Sequence, residues 1–416
     1  MNKKLEEYIN EYSSPYIKLS GKYKINFKGT KRITLGTNKY IQKLIEIKKQ
    51  DIVIDGSDAL IELEVNENFT EDVALFYVHP NVPNVQFQNL KINVVIHNSE
   101  NLTKSFYAIY NTSPNVKIDN CMMYINSDNQ LNMTGIFNHG EADASMYTCA
   151  DNMTITNSII GIKCNSKEFS EECTLYGIYN RMANNLYVQN TTVNVTIDGD
   201  GNKQKAIGLY TSGRFGRFVG NNIKANGSHP RGMVKEKAYI CGFINDGTYF
   251  IITSNNIVGE WSGTGIGLEN RGEFAKVSAN KILSTHTICG RSIINHADRC
   301  TFNDNIITST SKNPRLIESY GADCIICSNY MEVFARPETA MSGCGIYMVG
   351  KRVKNNIVKD NNIKNVKYCG IFAEKDAGII KDNIITSIGD EFVEYADTSN
   401  KALLALSDEN NIVSLE

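Results

Sequence analysis

Residues 265–282 read GIGLENRGEFAKVSANKI, and this stretch decides the fold. A glycine, Gly267, is followed by an apolar residue (Leu268), then Glu269 and Asn270, a short polar bend, an alternating run and a closing Asn280-Lys281-Ile282. The same frame recurs as GIYNRMANNLYVQNTTV from Gly177, GLYTSGRFGRFVGNNI from Gly208, GFINDGTYFIITSNNI from Gly242 and GIFAEKDAGIIKDNII from Gly370. The closing Asn reappears at Asn89, Asn120, Asn157, Asn190, Asn221, Asn255, Asn280, Asn305, Asn329, Asn361 and Asn383, spaced 22 to 37 residues apart. A period of this size, built from short alternating runs with Asn or Gly at the bends, is that of a solenoid made of strands. The expected fold is all-β, a right-handed parallel β-helix.

Strands this short bury no apolar face alone, so stacked turns must share one interior and hydrogen-bond from turn to turn. The residue after each such glycine, or after Ser292 and Leu316 where the frame has no glycine, tests this. It reads Ile136, Ile178, Leu209, Phe243, Leu268, Ile293, Ile317, Ile346 and Ile371, apolar at every turn, as an inward position requires. The recurring Asn suits a bend in which a short side chain bonds neighbouring backbone and tolerates left-handed geometry.

An unbroken repeat predicts one elongated domain over 1–416: a helical cap over 1–15, irregular first turns over 16–88, and regular turns with loop excursions over 89–416. The amphipathic start, with Leu5, Tyr8, Ile9 and Tyr12 on one side, suits a cap on the open end of the solenoid. Excursions are expected near 98–107, 138–150, 164–174, 226–237, 283–289 and 332–343, where they wall a groove. The terminal ALLALSDENNIVSLE is read as a partial turn or subunit contact.

With 43 basic and 45 acidic residues, the chain presents no electrostatic case for nucleic acid or an anionic membrane. Its 11 cysteines fall mostly at strand positions, Cys241, Cys344 and Cys369 in one column read as interior, which suggests free thiols in a reducing compartment. Cys324 and Cys327 are three apart on a strand and face opposite sides, which argues against a redox or metal pair. The N-terminus lacks the apolar core of a secretory signal, so the expectation is cytoplasmic.

Two residues after the glycine, or after Ser292 and Leu316, lies the outward column: Phe137, Tyr179, Tyr210, Ile244, Glu269, Ile294, Glu318, Tyr347 and Phe372. Aromatics beside a glycine that leaves backbone open describe either a carbohydrate groove or a strip packed by a partner subunit. Glu269 and Glu318 interrupt that column two turns apart, roughly 10 Å at the strand spacing. Asp246, Arg271, His296 and Tyr320 stand two residues further along their strands, and Glu260 and Trp261, the one tryptophan, precede Glu269. A carboxylate on an apolar strip has a raised pKa and can donate a proton, whereas one beside Arg stays ionised. Glycosidic-bond chemistry needs one of each. His139, in a similar frame, is read as structural.

The stretch LENRGEFAKVSANKI, followed by GRSIINHADRCTFNDNII, resembles the inulin fructotransferases of glycoside hydrolase family 91, and LIESYGADCIICSNYM matches one turn later. The family's catalytic Glu lies in an A-E-N-H-x-G motif. Here Glu269, Asn270 and Gly272 match it, Arg271 replaces the His, and Gly290, Arg291 and Ser292 match the following G-R-S. The resemblance covers about residues 240–335. It implies a trimeric β-helix enzyme without metal or cofactor, with sites between subunits, that forms difructose dianhydride III from inulin or hydrolyses that dianhydride to inulobiose. It further implies Glu269 as general acid/base and Glu260 as the second carboxylate. Trp261 would stack on a furanose, while Asn270, Arg271, Arg291 and His296 fix hydroxyls, with Asp246, Glu318 and Tyr320 beside them. A cytoplasmic protein suits the importable dianhydride, so the hydrolase is expected ahead of the transferase. Two other classes remain open: a uronate lyase or epimerase, which needs cation rows or Ca²⁺, and a sugar-binding solenoid that catalyses nothing.

Overall fold

A computed structural model describes residues 2–25, 27, 32–35, 39–67, 69, 71–97, 104–140, 142–143, 146–147, 150–169, 172–201, 204–228, 239–261, 265–286, 290–311, 313–334, 343–366, 369–373, 377–387 and 412–415. Among them are one helix, Asn2–Glu11, and otherwise strands and bends. The fold is a right-handed parallel β-helix, as the repeat requires. Contacts divide the chain into two compact units, Met1–Arg217 with Asn221–Ile223, and Phe218–Gly220 with Lys224–Glu416. Of the predicted excursions, 98–103, 229–238, 287–289, 335–342 and parts of the others lie outside the described residues, as does most of the C-terminal stretch.

In the first unit the helix lies on the strand Lys39–Ile47, tied by Asn10 Nδ2 to Glu46 O at 2.8 Å and by Lys48 N to Asn10 Oδ1 at 2.8 Å. Leu5 and Ile9, one turn apart, are buried, whereas Tyr8 and Tyr12 stay exposed and pack at a tilt, with ring centroids 5.1 Å apart. The buried stripe is thus narrower than the expected four residues. Parallel stacking begins early: Ile52–Val65 pairs in register with Val85–Gln88 and Lys91–Ile96, ahead of Asn89. From there each turn pairs with the next, for example Ser105–Asn111, Asn132–His139 and Cys173–Arg181.

The recurring Asn resolves into two different columns. Asn89, Asn120, Asn157 and Asn190 adopt φ of 48 to 56° at an exposed corner. In the second unit that corner belongs to Gly220, Ser254, Ala279, Asp304, Ser328, Asp360 and Asp382. The Asn there has slipped one residue into the interior. Asn280, Asn305, Asn329, Asn361 and Asn383 each accept, on Oδ1, bonds from the Asn one turn earlier, such as Asn255 N and Nδ2 to Asn280 Oδ1 at 2.9 and 3.0 Å. A second buried amide stack runs Asn245–Asn270–Asn295–Ser319. These chains satisfy polar groups that would be costly unpaired in the interior.

The glycine column also differs from expectation. A Cβ on Gly267 would lie 2.6 Å from Ile282 Cγ2 and 2.6 Å from Ser292 O, and Gly242, Gly345 and Gly370 are crowded in the same way. These glycines therefore face the interior and open no outward backbone; they let two sheets approach. Pairing passes over them, with Cys241 opposite Ile266 and Phe243 opposite Leu268. After this kink, residues three apart emerge on one face: Ile266 with Glu269, Arg291 with Ile294, and Arg315 with Glu318.

Candidate active site

Glu269 ends the strand Gly265–Asn270, in register with Ile244 on one side and Ile294 on the other. Glu318, on Arg315–Ser319, pairs with Ile294 and with Tyr347. One strand thus separates the two carboxylates, as the outward column predicts. Apolar neighbours bury both, leaving Glu269 5 % and Glu318 1 % exposed. Neither is bare, however, because polar side chains converge on each.

Arg271 Nε donates to Glu269 Oε1 at 2.8 Å, His296 Nε2 stands 3.3 Å from the same oxygen, and the Tyr239 hydroxyl donates to Oε2. Burial opposes ionisation of Glu269, but the hydrogen bonds from His296 and Arg271, reinforced by the Arg271 charge, outweigh it and hold the carboxyl below its usual range. Arg271 shifts in the complementary direction: desolvation lowers it, and the bond to Glu269 more than restores it. Of the two carboxylate environments that the sequence allows, Glu269 has the one beside an arginine.

Glu318 Oε1 accepts from Arg315 Nη1 at 2.9 Å and from the Tyr320 hydroxyl. Arg291 Nε stands 2.9 Å from Oε2, but its N–H does not point at it, so that oxygen receives no hydrogen bond from the described residues. That oxygen is nonetheless enclosed, with Glu318 1 % exposed and the Arg291 charge beside it. The two halves of the site are joined, since His296 stacks on Tyr320 with ring centroids 5.4 Å and planes 8° apart. Glu269, His296, Tyr320 and Glu318 therefore form one row of contacts, polar at its ends and stacked at its centre.

The kink and the bend explain this convergence. Backbone bonds from Arg271 N to Asn245 O, His296 N to Asn270 O and Tyr320 N to Asn295 O step one turn at a time and align Arg271, His296 and Tyr320 in a row. The register Ile266–Arg291–Arg315–Cys344–Cys369 aligns the two arginines one strand apart. Cys241, Cys344 and Cys369 belong to that same column, so the column is the outer one carrying the arginines, though the thiols are buried. Arg315 also lies 3.9 Å over the Tyr347 ring.

Several expected site residues stand elsewhere. Asn270 is fully buried in the amide stack, donating to Asn295 Oδ1 at 2.8 Å and to Gly272 O at 3.1 Å, and so cannot hold a hydroxyl of a ligand. Glu260 lies in the other sheet, on Asn256–Trp261, with Lys224 Nζ 2.6 Å from its carboxylate. The second carboxylate on the face of Glu269 is Glu318. Asp246 is exposed and acts on Arg271 through its charge, and the Trp261 side chain lies outside the described residues. Sequence reading missed Tyr239 and Arg315. For Arg315 the signal existed: it stands three residues before an outward Glu, at the offset that places Arg291 before Ile294.

Further along the outward column, aromatic rings pack together rather than stand open. Phe137 stacks near Tyr179 at 5.0 Å, and register extends the strip through Tyr110 and Tyr77 to Glu46, under Lys43. Tyr77, Tyr110 and Phe137 are 1 to 5 % exposed. Only Tyr179 and Tyr210 are half-open, so in the first unit this column is mainly a packed strip. His139 bonds the Tyr110 hydroxyl at 2.9 Å, in keeping with a structural part. All nine cysteines among the described residues are free thiols, and Cys324 is buried while Cys327 is partly open, so the two face opposite sides.

No family model and no curated protein matches the sequence. Among solved structures, the chain is similar to the A-module of mannuronan C-5 epimerase AlgE4 from Azotobacter vinelandii, at 9 % identity and a TM-score of 0.38, covering 96 % of this chain and 88 % of that one. It is also similar to DFA-IIIase from Arthrobacter chlorophenolicus A6 in complex with GF2, at 11 % identity and a TM-score of 0.34 over 84 % of each chain. A third is the surface adhesin PfbA of Streptococcus pneumoniae, at 10 % identity and 0.32, covering 99 % and 86 %. None of these likenesses bears on the substrate.

Proposed function

We propose that this protein is a carbohydrate-active enzyme that cleaves a fructosyl linkage, hydrolysing difructose dianhydride III to inulobiose, with Glu269 and Glu318 on opposite sides of the reacting bond. The observation that carries the reading is the pair itself: two buried carboxylates on one face, one strand between them, each held by arginine and tyrosine. Two strand spacings set their backbones roughly 10 Å apart, of the order of the separation between the two carboxyls in direct displacement by water. Glu269, held ionised, takes a proton from the attacking water, whose oxygen bonds the anomeric carbon. The glycosidic oxygen leaves with the proton of the Tyr320 hydroxyl, which Glu318 holds in place, and the tyrosinate and the protonated Glu269 return to their starting states by proton exchange with solvent. Arg271, Arg291 and Arg315 fix the carboxylates and sugar hydroxyls. The trimer with shared sites implied by the family resemblance belongs to this proposal, and light scattering of the purified protein tests it.

Product analysis with difructose dianhydride III and with inulin tests the chemistry. Inulobiose from the dianhydride establishes the hydrolase; dianhydride from inulin means that a fructosyl hydroxyl attacks instead of water. Turnover of neither overturns the fructosyl reading. The column of Arg291 and Arg315 favours one second reading, in which two guanidinium groups one turn apart neutralise a uronate carboxylate while His296 and Tyr320 move the proton beside it. Appearance of an unsaturated or epimerised uronate from alginate or polygalacturonate, with inert fructans, would select it.

A further inference from the structure

At Glu269 charge and access to solvent are separated. Its side chain is 6 % exposed, and the groups around it occupy most of its lone pairs: Arg271 Nε and His296 Nε2 at Oε1, and the Tyr239 hydroxyl at Oε2. A carboxylate has about four lone-pair sites, so this one has about one left for a ligand or a water. The base of the proposed reaction must nonetheless meet a water that stands against the sugar.

Of the three side chains on Glu269 among the described residues, one can both take up and release a proton. The Arg271 guanidinium stays charged, and the Tyr239 phenol spends its proton on Oε2 and is a weak base. His296 has a nitrogen on each side of its ring. Nε2 stands 3.3 Å from Glu269 Oε1, while the side chain is 43 % exposed and Nδ1 meets no hydrogen-bond partner among the described residues. With the proton on Nε2, toward the carboxylate, Nδ1 is an open acceptor. The ring is also fixed in orientation. It stacks on Tyr320, and the backbone bonds His296 N to Asn270 O and Tyr320 N to Asn295 O, both 2.8 Å, hold the two bends in step. The open acceptor and the tyrosine hydroxyl that serves as the acid thus stand on adjacent turns.

We infer that His296 is the residue that meets the attacking water, and that the proton taken by Glu269 reaches it through this imidazole. Nδ1 takes the proton as the water oxygen bonds the anomeric carbon, and the Nε2 proton passes to Glu269 Oε1, leaving the imidazole neutral and the carboxyl protonated. The reverse transfers, with the Nδ1 proton released to solvent, restore both groups. The inference rests on the hydrolytic reading of the site and adds the residue that carries its proton. The test is steady-state kinetics of the full chain on difructose dianhydride III. His296→Phe keeps a ring against Tyr320 and removes both nitrogens, so it should lower kcat by about 10² or more with KM within about threefold. His296→Ala should lose as much and regain at least about tenfold when imidazole is added, with more basic methylimidazoles restoring more. A ring that only packs gives no such response. Both variants should keep the wild-type circular dichroism, since the side chain is half-exposed. A kcat for His296→Phe within about threefold of wild type would mean that Glu269 meets the water itself. A loss in His296→Ala that no added base relieves would reduce His296 to a positioning residue. Either result, with an active wild type, overturns the relay alone, whereas an inert wild type overturns the hydrolytic reading and the relay with it.

Discussion

At Glu269, ionisation reflects a balance between burial and donors, and that balance has a pH signature. A carboxylate whose pKa falls on folding adds stability above its unfolded value, near 4.3, and loses it as pH drops through the lower native value. Glu269→Gln should therefore be less stable than wild type at neutral pH, and the gap in Tm should close between about pH 4.5 and the acid limit of folding. A gap independent of pH would mean that Arg271 and His296 do not hold the charge. Asn280 is a second residue with a calculable cost. Replacing it with Ala strips Asn255 N and Ile252 O of partners found at 2.9 and 2.8 Å, and two unsatisfied buried groups cost about 2 to 5 kcal/mol in denaturant unfolding. At Gly267, an added methyl meets the Ser292 carbonyl at 2.6 Å, so Gly267→Ala should cost about 1 to 3 kcal/mol and disturb Glu269 two residues on.

At the scale of the strand, the site is a matter of register. The strands Gly265–Asn270, Arg291–Asn295 and Arg315–Ser319 place Glu269, Ile294 and Glu318 in one row, and the kink at Gly267 and its counterparts adds Arg291 and Arg315 three residues earlier. If both carboxylates act on the reacting bond, Glu269→Gln and Glu318→Gln should each lower kcat by a factor of about 10² or more, with near-wild-type far-ultraviolet circular dichroism. Glu260→Gln, which breaks an ion pair with Lys224 on the other sheet, should leave kcat within about twofold. The reverse ranking would return the second-carboxylate part to Glu260. This pattern was half legible in the chain: the outward Glu residues and the row Arg271, His296, Tyr320 could be read by counting from each glycine. Arg315 was legible as well, by its offset of three from Glu318, whereas Tyr239 was not, because it reaches Glu269 from the neighbouring strand and no local pattern marks it.

At the scale of the molecule, the repeat predicts one solenoid, whereas contact density divides it into two units. We propose that the units unfold together; a single calorimetric transition is expected, and two separated transitions would mean independent domains. The sequence alone determined the architecture, because a period of short apolar strands has one way to bury its faces, by stacking turns around a shared interior. It also determined that Glu269 and Glu318 share an outer row, since alternation along a strand is a local property. Only the tertiary structure decided what those carboxylates are. Whether Glu269 is charged depends on Arg271, Tyr239 and His296, which reach it from different turns. Whether an Asn faces solvent or core turns on a one-residue slip at the corner that leaves the repeat length almost unchanged. Side-chain convergence across turns is set by register and crowding between strands 24 or 25 residues apart at the site, and no local pattern encodes it.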